Sequence, residues 1–154
     1  MKSMTDQMAA YGAYHRNFWN RFTHFFGVPI VVFSIFVPLG WFRFAPADIP
    51  LSAAAVFYFF VFIYYVKLDW VVALFQAPTT LAILCAADWA SRLPFRDSLA
   101  IFGATFVGGW ALQLLGHWFE GRRPALADNV LQIFNAPLFL TAEVLHFLKT
   151  CIRR

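Results

Sequence analysis

The residues best equipped for chemistry are four histidines, His15, His24, His117 and His146, each set in a polar stretch of an otherwise apolar chain. Imidazole is a common ligand for first-row metals and the usual proton carrier near neutral pH, so their spacing is informative. Gln113, His117 and Glu120 stand at i, i+4 and i+7, which places them on one face of a helix. Asp128, Gln132, Asn135, Glu143 and His146 share one broad face if 130–148 is helical through Pro137. His117 and Glu120 form a His-x-x-Glu pair, and Glu143 and His146 the mirrored Glu-x-x-His. Two such pairs on facing helices are one way a bundle holds metal; polar bonding between helices is the other use of the same residues.

Near the start, YHRNFWNRFTH holds His15 and His24 with Asn17 and Asn20 between them. Nine residues apart, at about 100° per residue, the two imidazoles would point in opposite directions on one straight helix. They address a common site only if the chain breaks between them, for example with Asn17 capping a new helix. Imidazole with carboxylate suits iron, and open positions beside such ligands permit oxygen chemistry. Arg122 and Arg123 follow Glu120 closely; either fork would seat an acidic head group, and a basic anchor at a membrane interface is the other reading.

Several chemistries have no residues to carry them. HxxHH boxes, a HExxH helix, a P-loop and a Ser nucleophile elbow are all missing from the sequence. Cys85 and Cys151 stand outside any CxxC or Cys/His spacing, so they read as small apolar filler. The net charge of +4 comes without a basic stripe interleaved with aromatics, and nucleic acid is not an expected partner. A haem- or quinone-binding redox protein, a zinc hydrolase and a purely structural membrane protein remain alternatives at this point.

The elements that must position these residues are membrane elements. Of 154 residues, 61% are hydrophobic and only 13% charged, half the charged share of an ordinary soluble domain. Twenty Phe exclude a disordered tail, and the polar first 24 residues offer no apolar core for a removable signal peptide. The expected fold is all-α, a single integral membrane bundle over 1–154. Spans are expected near 25–42, 49–66, 70–90 and 98–119, with an amphipathic N-terminal helix over 1–24 and an interfacial or re-entrant helix over 130–148. Four spans put nine of the twelve Lys and Arg on one side, whereas five would split them evenly. Both termini are therefore expected in the cytoplasm.

The segments AYHRNFWNRFTHFFGVP, YYVKLDW and QLLGHWFEGRRPALADNVLQIFNAPLFLTAEVL resemble the fungal-type 2-hydroxy fatty acid dioxygenase family over nearly the whole chain. The resemblance implies a multi-pass membrane enzyme of fatty-acid α-oxidation, in the cytoplasmic membrane of a bacterium or the endoplasmic reticulum of a eukaryote. It implies Fe(II) as cofactor, with O2 and a long-chain 2-hydroxy fatty acid as substrates and a product one carbon shorter. By motif, His15, His24, His117 and Glu120 become the metal set. Glu120, Arg123 and Asp128 become candidate catalytic residues, and Arg122, Arg123 and Asn129 candidate substrate contacts. Asn17, Asn20, Asp69, Gln113, Gln132 and Glu143 are supporting candidates. His146 has no counterpart in the family, and Phe18 stands where relatives often carry proline.

Overall fold

A computed structural model describes residues 17–45, 50–121 and 132–152, excepting the side chains at 132, 133, 147, 149 and 152. Local chemistry sets most helix ends. Asn17, extended at φ −76° and ψ 133°, caps helix α1 (Phe18–Trp41), its side-chain oxygen accepting the Trp19 N–H at 2.8 Å. Two short strands follow, β1 (Arg43–Phe44) and β2 (Leu51–Ser52), antiparallel with Arg43 opposite Ser52. Ser52 caps α2 (Ala53–Leu68) by accepting from the Ala55 N–H at 3.2 Å. Asp69 turns the chain into α3 (Trp70–Ser91), accepting the N–H groups of Val71 and Val72 at 3.0 and 3.1 Å. Pro94, with no N–H to leave unsatisfied, precedes α4 (Phe95–Glu120), and Gly121 ends that helix at φ 67° in the left-handed region glycine tolerates. Helix α5 spans Gln132–Ile152.

The protein is an all-α helical bundle in which α1, α3 and α4 are long and apolar enough to cross a membrane. Helix α2 is shorter, 16 residues or about 24 Å against a hydrocarbon core of about 30 Å. It still has to carry the chain from the far end of α1 back to the start of α3, because those two helices run parallel: Gly40 meets Ser91, and Arg43 meets Asp88. The first helix begins at Phe18, so residues 18–24, expected in a separate amphipathic segment, are continuous with the first apolar helix. Pro29, Pro38, Pro78 and Pro137 lie inside helices that run through them.

The interior is small and the outside apolar. In α4 the buried residues are Ser98, Gly109, Gly116 and His117, with no large apolar side chain among them, while Val107, Leu114 and Trp118 face outward. That inversion suits a lipid surround, where small residues let helix backbones approach and apolar groups need no burial in protein. A Cβ on Gly109 would sit 2.9 Å from Val31, and one on Gly27 2.9 Å from Gln113, so α1 and α4 touch along most of their length. Two apolar clusters complete the core, one around Phe36, Val37, Tyr58 and Ala87, the other where Leu138 of α5 meets Tyr65, Val72 and Ala73.

Candidate metal centre

The antiparallel contact of α1 with α4 brings the start of one helix to the end of the other, and the polar residues of both meet there. Gly116 sets the distance: a Cβ there would collide with Thr23 and lie 2.7 Å from Asn20 Oδ1 and 2.8 Å from His24 Nδ1. The bare backbone lets His24 reach His117. Their rings meet edge to face, centroids 4.8 Å apart, and the residues are only 4% and 8% exposed. His24 Nδ1 lies 2.9 Å from the Asn20 carbonyl, which can only accept, so Nδ1 carries a proton and donates it there.

Glu120 closes the site from the α4 end. Its Oε2 accepts the Asn17 backbone N–H at 2.8 Å and the Asn20 side-chain amide at 3.0 Å. A carboxylate is poorly placed at its own helix C-terminus, but here it aims at the N-terminus of α1, where the helix dipole favours it. Asn17 also donates its side-chain N–H to the Phe119 carbonyl at 3.1 Å, so one residue caps α1 and ties it to α4. Phe18, at the position where relatives often carry proline, starts the helix regardless, because the Asn17 cap supplies the break between His15 and His24.

His117 and Glu120 thus serve one end of the bundle but face different partners. Gln113, one turn below His117, packs against Gly27. The Glu143–His146 pair divides: Glu143 forms an ion pair with Arg21 at 3.4 Å, tying α5 to the first turn of α1, whereas His146 is exposed. Asn135 accepts from the Tyr64 hydroxyl at 2.9 Å, and the neighbouring Phe134 carbonyl accepts from Tyr65, which fixes α5 to α2. Asp69 caps α3 as described. His15, Arg122, Arg123, Asp128 and Asn129 lie outside the described residues, as does the Gln132 side chain. Sequence reasoning passed over Arg21, Thr23 and Gln76; a lone amide such as Gln76 in an apolar helix was the available signal.

The donor set fits a first-row metal in part. At a metal–nitrogen distance of about 2.1 Å, two imidazoles on adjacent positions of one ion hold their centroids about 5 Å apart, close to the separation found. Opposite positions across a porphyrin would need about 6 Å. Among the described residues no group of three or more His, Cys, Asp and Glu gathers as a metal site.

Fold and site together define a small bundle of apolar helices with a buried imidazole pair and a tethered carboxylate at one end. A family model described as 2-hydroxy-palmitic acid dioxygenase Mpo1-like matches residues 1–148. The 2-hydroxy-palmitic acid dioxygenase MPO1 of Saccharomyces cerevisiae is 32% identical over 145 residues, covering 92% of this chain and 79% of the yeast protein. The chain belongs to the Mpo1-like family. No solved structure matches it.

Proposed function

We propose that this protein is an iron(II)-dependent dioxygenase that uses O2 to shorten a long-chain 2-hydroxy fatty acid by one carbon. The observation that carries the reading is the buried His24–His117 contact, in a chain whose curated relative is named for that substrate class. His24 and His117 would hold the metal, joined by His15, which lies two residues before the Asn17 that anchors Glu120. Iron(II) supplies the redox chemistry that allows O2 to react with a closed-shell acid. The protein's own part is placement. Asn20 fixes the His24 ring through its carbonyl and the Glu120 carboxylate through its amide, so one residue orients an imidazole and an anion together. Arg122 or Arg123 would seat the substrate carboxylate as a bidentate fork, and the apolar helices would admit its chain. Both termini would face the cytoplasm.

The test is anaerobic reconstitution with iron(II), then addition of O2 and 2-hydroxyhexadecanoate, with the product identified by mass. A pentadecanoate product that disappears in His117→Ala supports the proposal. Unchanged substrate at full iron loading would end it.

A further inference from the structure

Four of the six tryptophans, Trp19, Trp70, Trp89 and Trp118, are more than half exposed on the outside of an apolar bundle. Their heights follow from helix register. Gly40 of α1 meets Ser91 of the parallel α3, so Trp19 and Trp70, each twenty-one residues before its member of that pair, stand level. Trp118 joins them from the antiparallel α4, two residues beyond the Gly116 that meets Asn20 and Thr23. The rings of Trp19 and Phe119 confirm the common height, with centroids 6.3 Å apart. Trp89 stands at the opposite end, where the Trp41 and Phe95 rings meet at 5.2 Å.

The gap between the two levels has the size of a membrane interior. Nineteen residues of α3 separate Trp70 from Trp89, about 28 Å along a helix axis, against a hydrocarbon core of about 30 Å. Asp, Glu, Lys and Arg are absent from 22–41 in α1, 70–87 in α3 and 98–119 in α4. Arg21 and Asp88, at the edges of those stretches, lie within two residues of Trp19 and Trp89, and both are paired. Indole, with an apolar body and one N–H, gathers where hydrocarbon meets headgroups. We propose that Trp19, Trp70 and Trp118 mark one face of a bilayer and Trp89 the other, with the His24–His117 site just beneath the first, at the depth of the carboxyl end of a fatty acid still dissolved in that leaflet. His24 is five residues from Trp19, so the contact lies within about 8 Å of the tryptophan level. The part of the proposal that concerns the acid rests on the function proposed above; the embedding does not. A carboxylate is not tolerated in hydrocarbon, and every methylene brought into water is costly, so the first carbons of such an acid are held at the boundary. A site at that depth acts on them without extracting the chain.

Depth-dependent fluorescence quenching tests the embedding in full-length protein reconstituted into phosphatidylcholine vesicles. One indole at a time is kept on α3, with every other tryptophan replaced by Phe. The reporters are Trp70, Trp89, Leu74→Trp at the height of Thr23 and His24, and Leu81→Trp near midway; both leucines are exposed, so neither change enters the core. The quenchers are lipids brominated near the headgroup end of the acyl chain or near its terminus. Shallow bromines should quench Trp70, Leu74→Trp and Trp89 more than deep ones do, and the order should reverse at Leu81→Trp. Deep bromines that quench Trp70 or Leu74→Trp as strongly as Leu81→Trp, or no bromine effect at any position, would overturn the inference. Should the tryptophan-poor background fail to fold, nitroxides on Trp70→Cys, Leu74→Cys, Leu81→Cys and Trp89→Cys, each with Cys85→Ala and Cys151→Ala, read the same depths by collision with O2. A flat profile there overturns it equally. Delivery from the leaflet has a readout of its own. With iron-loaded protein and 2-hydroxytetracosanoate, which leaves a bilayer slowly, in the same vesicles, an excess of empty vesicles should not change the initial rate. A rate that falls as empty vesicles take up free acid means that the acid arrives through water, and it defeats the leaflet assignment alone. No turnover of any 2-hydroxy acid, with the depth profile intact, defeats the dioxygenase reading and leaves the embedding standing.

Discussion

The two ends of the bundle are both polar, and they are built on opposite principles. At the far end Arg43 bonds Asp88 at 2.9 Å and Ser91 at 2.8 Å, Arg92 bonds the other Asp88 oxygen at 2.9 Å, and Trp41 donates to Ser98 at 2.8 Å. Charges there meet opposite charges at a partly exposed surface, where ion pairs contribute little. At the near end the Glu120 carboxylate accepts from the Asn17 backbone N–H and the Asn20 side-chain amide, the buried His24 ring bonds the Asn20 carbonyl and meets His117, and the partners come from positions about a hundred residues apart in sequence. The far end pairs charge with charge, whereas the near end ties buried polar groups of α1 to those of α4. Burial of that kind is costly without hydrogen bonds, which is why each group there is held by another and why the assembly reads as a site.

The largest expected effect breaks the near end by steric means. Gly116→Ala would drive a methyl into Thr23, Asn20 and His24, so α1 and α4 must separate, at a cost of about 1–3 kcal/mol from overpacking. Iron binding, followed by metal analysis after anaerobic loading, should be lost along with activity. Gly108→Ala, one helix face away with open space around it, should leave both unchanged. If Gly116→Ala loads iron normally, close approach at this point does not hold the site together.

Next in size is Glu120→Ala. It strips the acceptor from the Asn17 N–H and the Asn20 amide, and turnover should fall by about 10- to 100-fold, the usual effect of losing an orienting partner of a metal site. The His24 ring keeps its own bond to the Asn20 carbonyl, so iron affinity should fall less than that of His117→Ala; equal losses would make Glu120 a ligand.

The matching perturbation at the far end is Gly40→Ala, whose methyl would lie 2.7 Å from Ser91 Cβ. It should lower the thermal midpoint in detergent and leave iron stoichiometry intact, separating bundle stability from site geometry. The smallest effect belongs to Arg43→Ala, expected to change stability by about 1 kcal/mol or less with normal turnover. A large loss of activity there would mean the two ends are coupled and that the contrast between them is false.

Much of this was legible from residue types. The apolar fraction and its segmentation require a helical membrane bundle, since a lipid surround leaves backbone groups no partner but one another. The capping chemistry of Asn17 was readable too, because Asn is favoured at N-caps and two histidines nine residues apart need a break between them to converge. The mirrored His-x-x-Glu and Glu-x-x-His pairs were misleading as a unit. Helical spacing places His117 and Glu120 on one face, as it does Glu143 and His146, but says nothing of what lies opposite. Glu143 finds Arg21, and His146 finds the exterior.

By itself, then, the sequence determined the medium, the helices, their caps and the small set of polar side chains that a lipid environment would not tolerate facing outward. Those properties depend on local propensity and on transfer to hydrocarbon, which each segment settles within its own length. Only the tertiary structure decided that Gly116 brings His24 against His117 and that Asn20 serves an imidazole with its carbonyl and Glu120 with its amide. These are relations between helices, fixed by where a missing Cβ permits two backbones to touch, and no spacing within one helix encodes them.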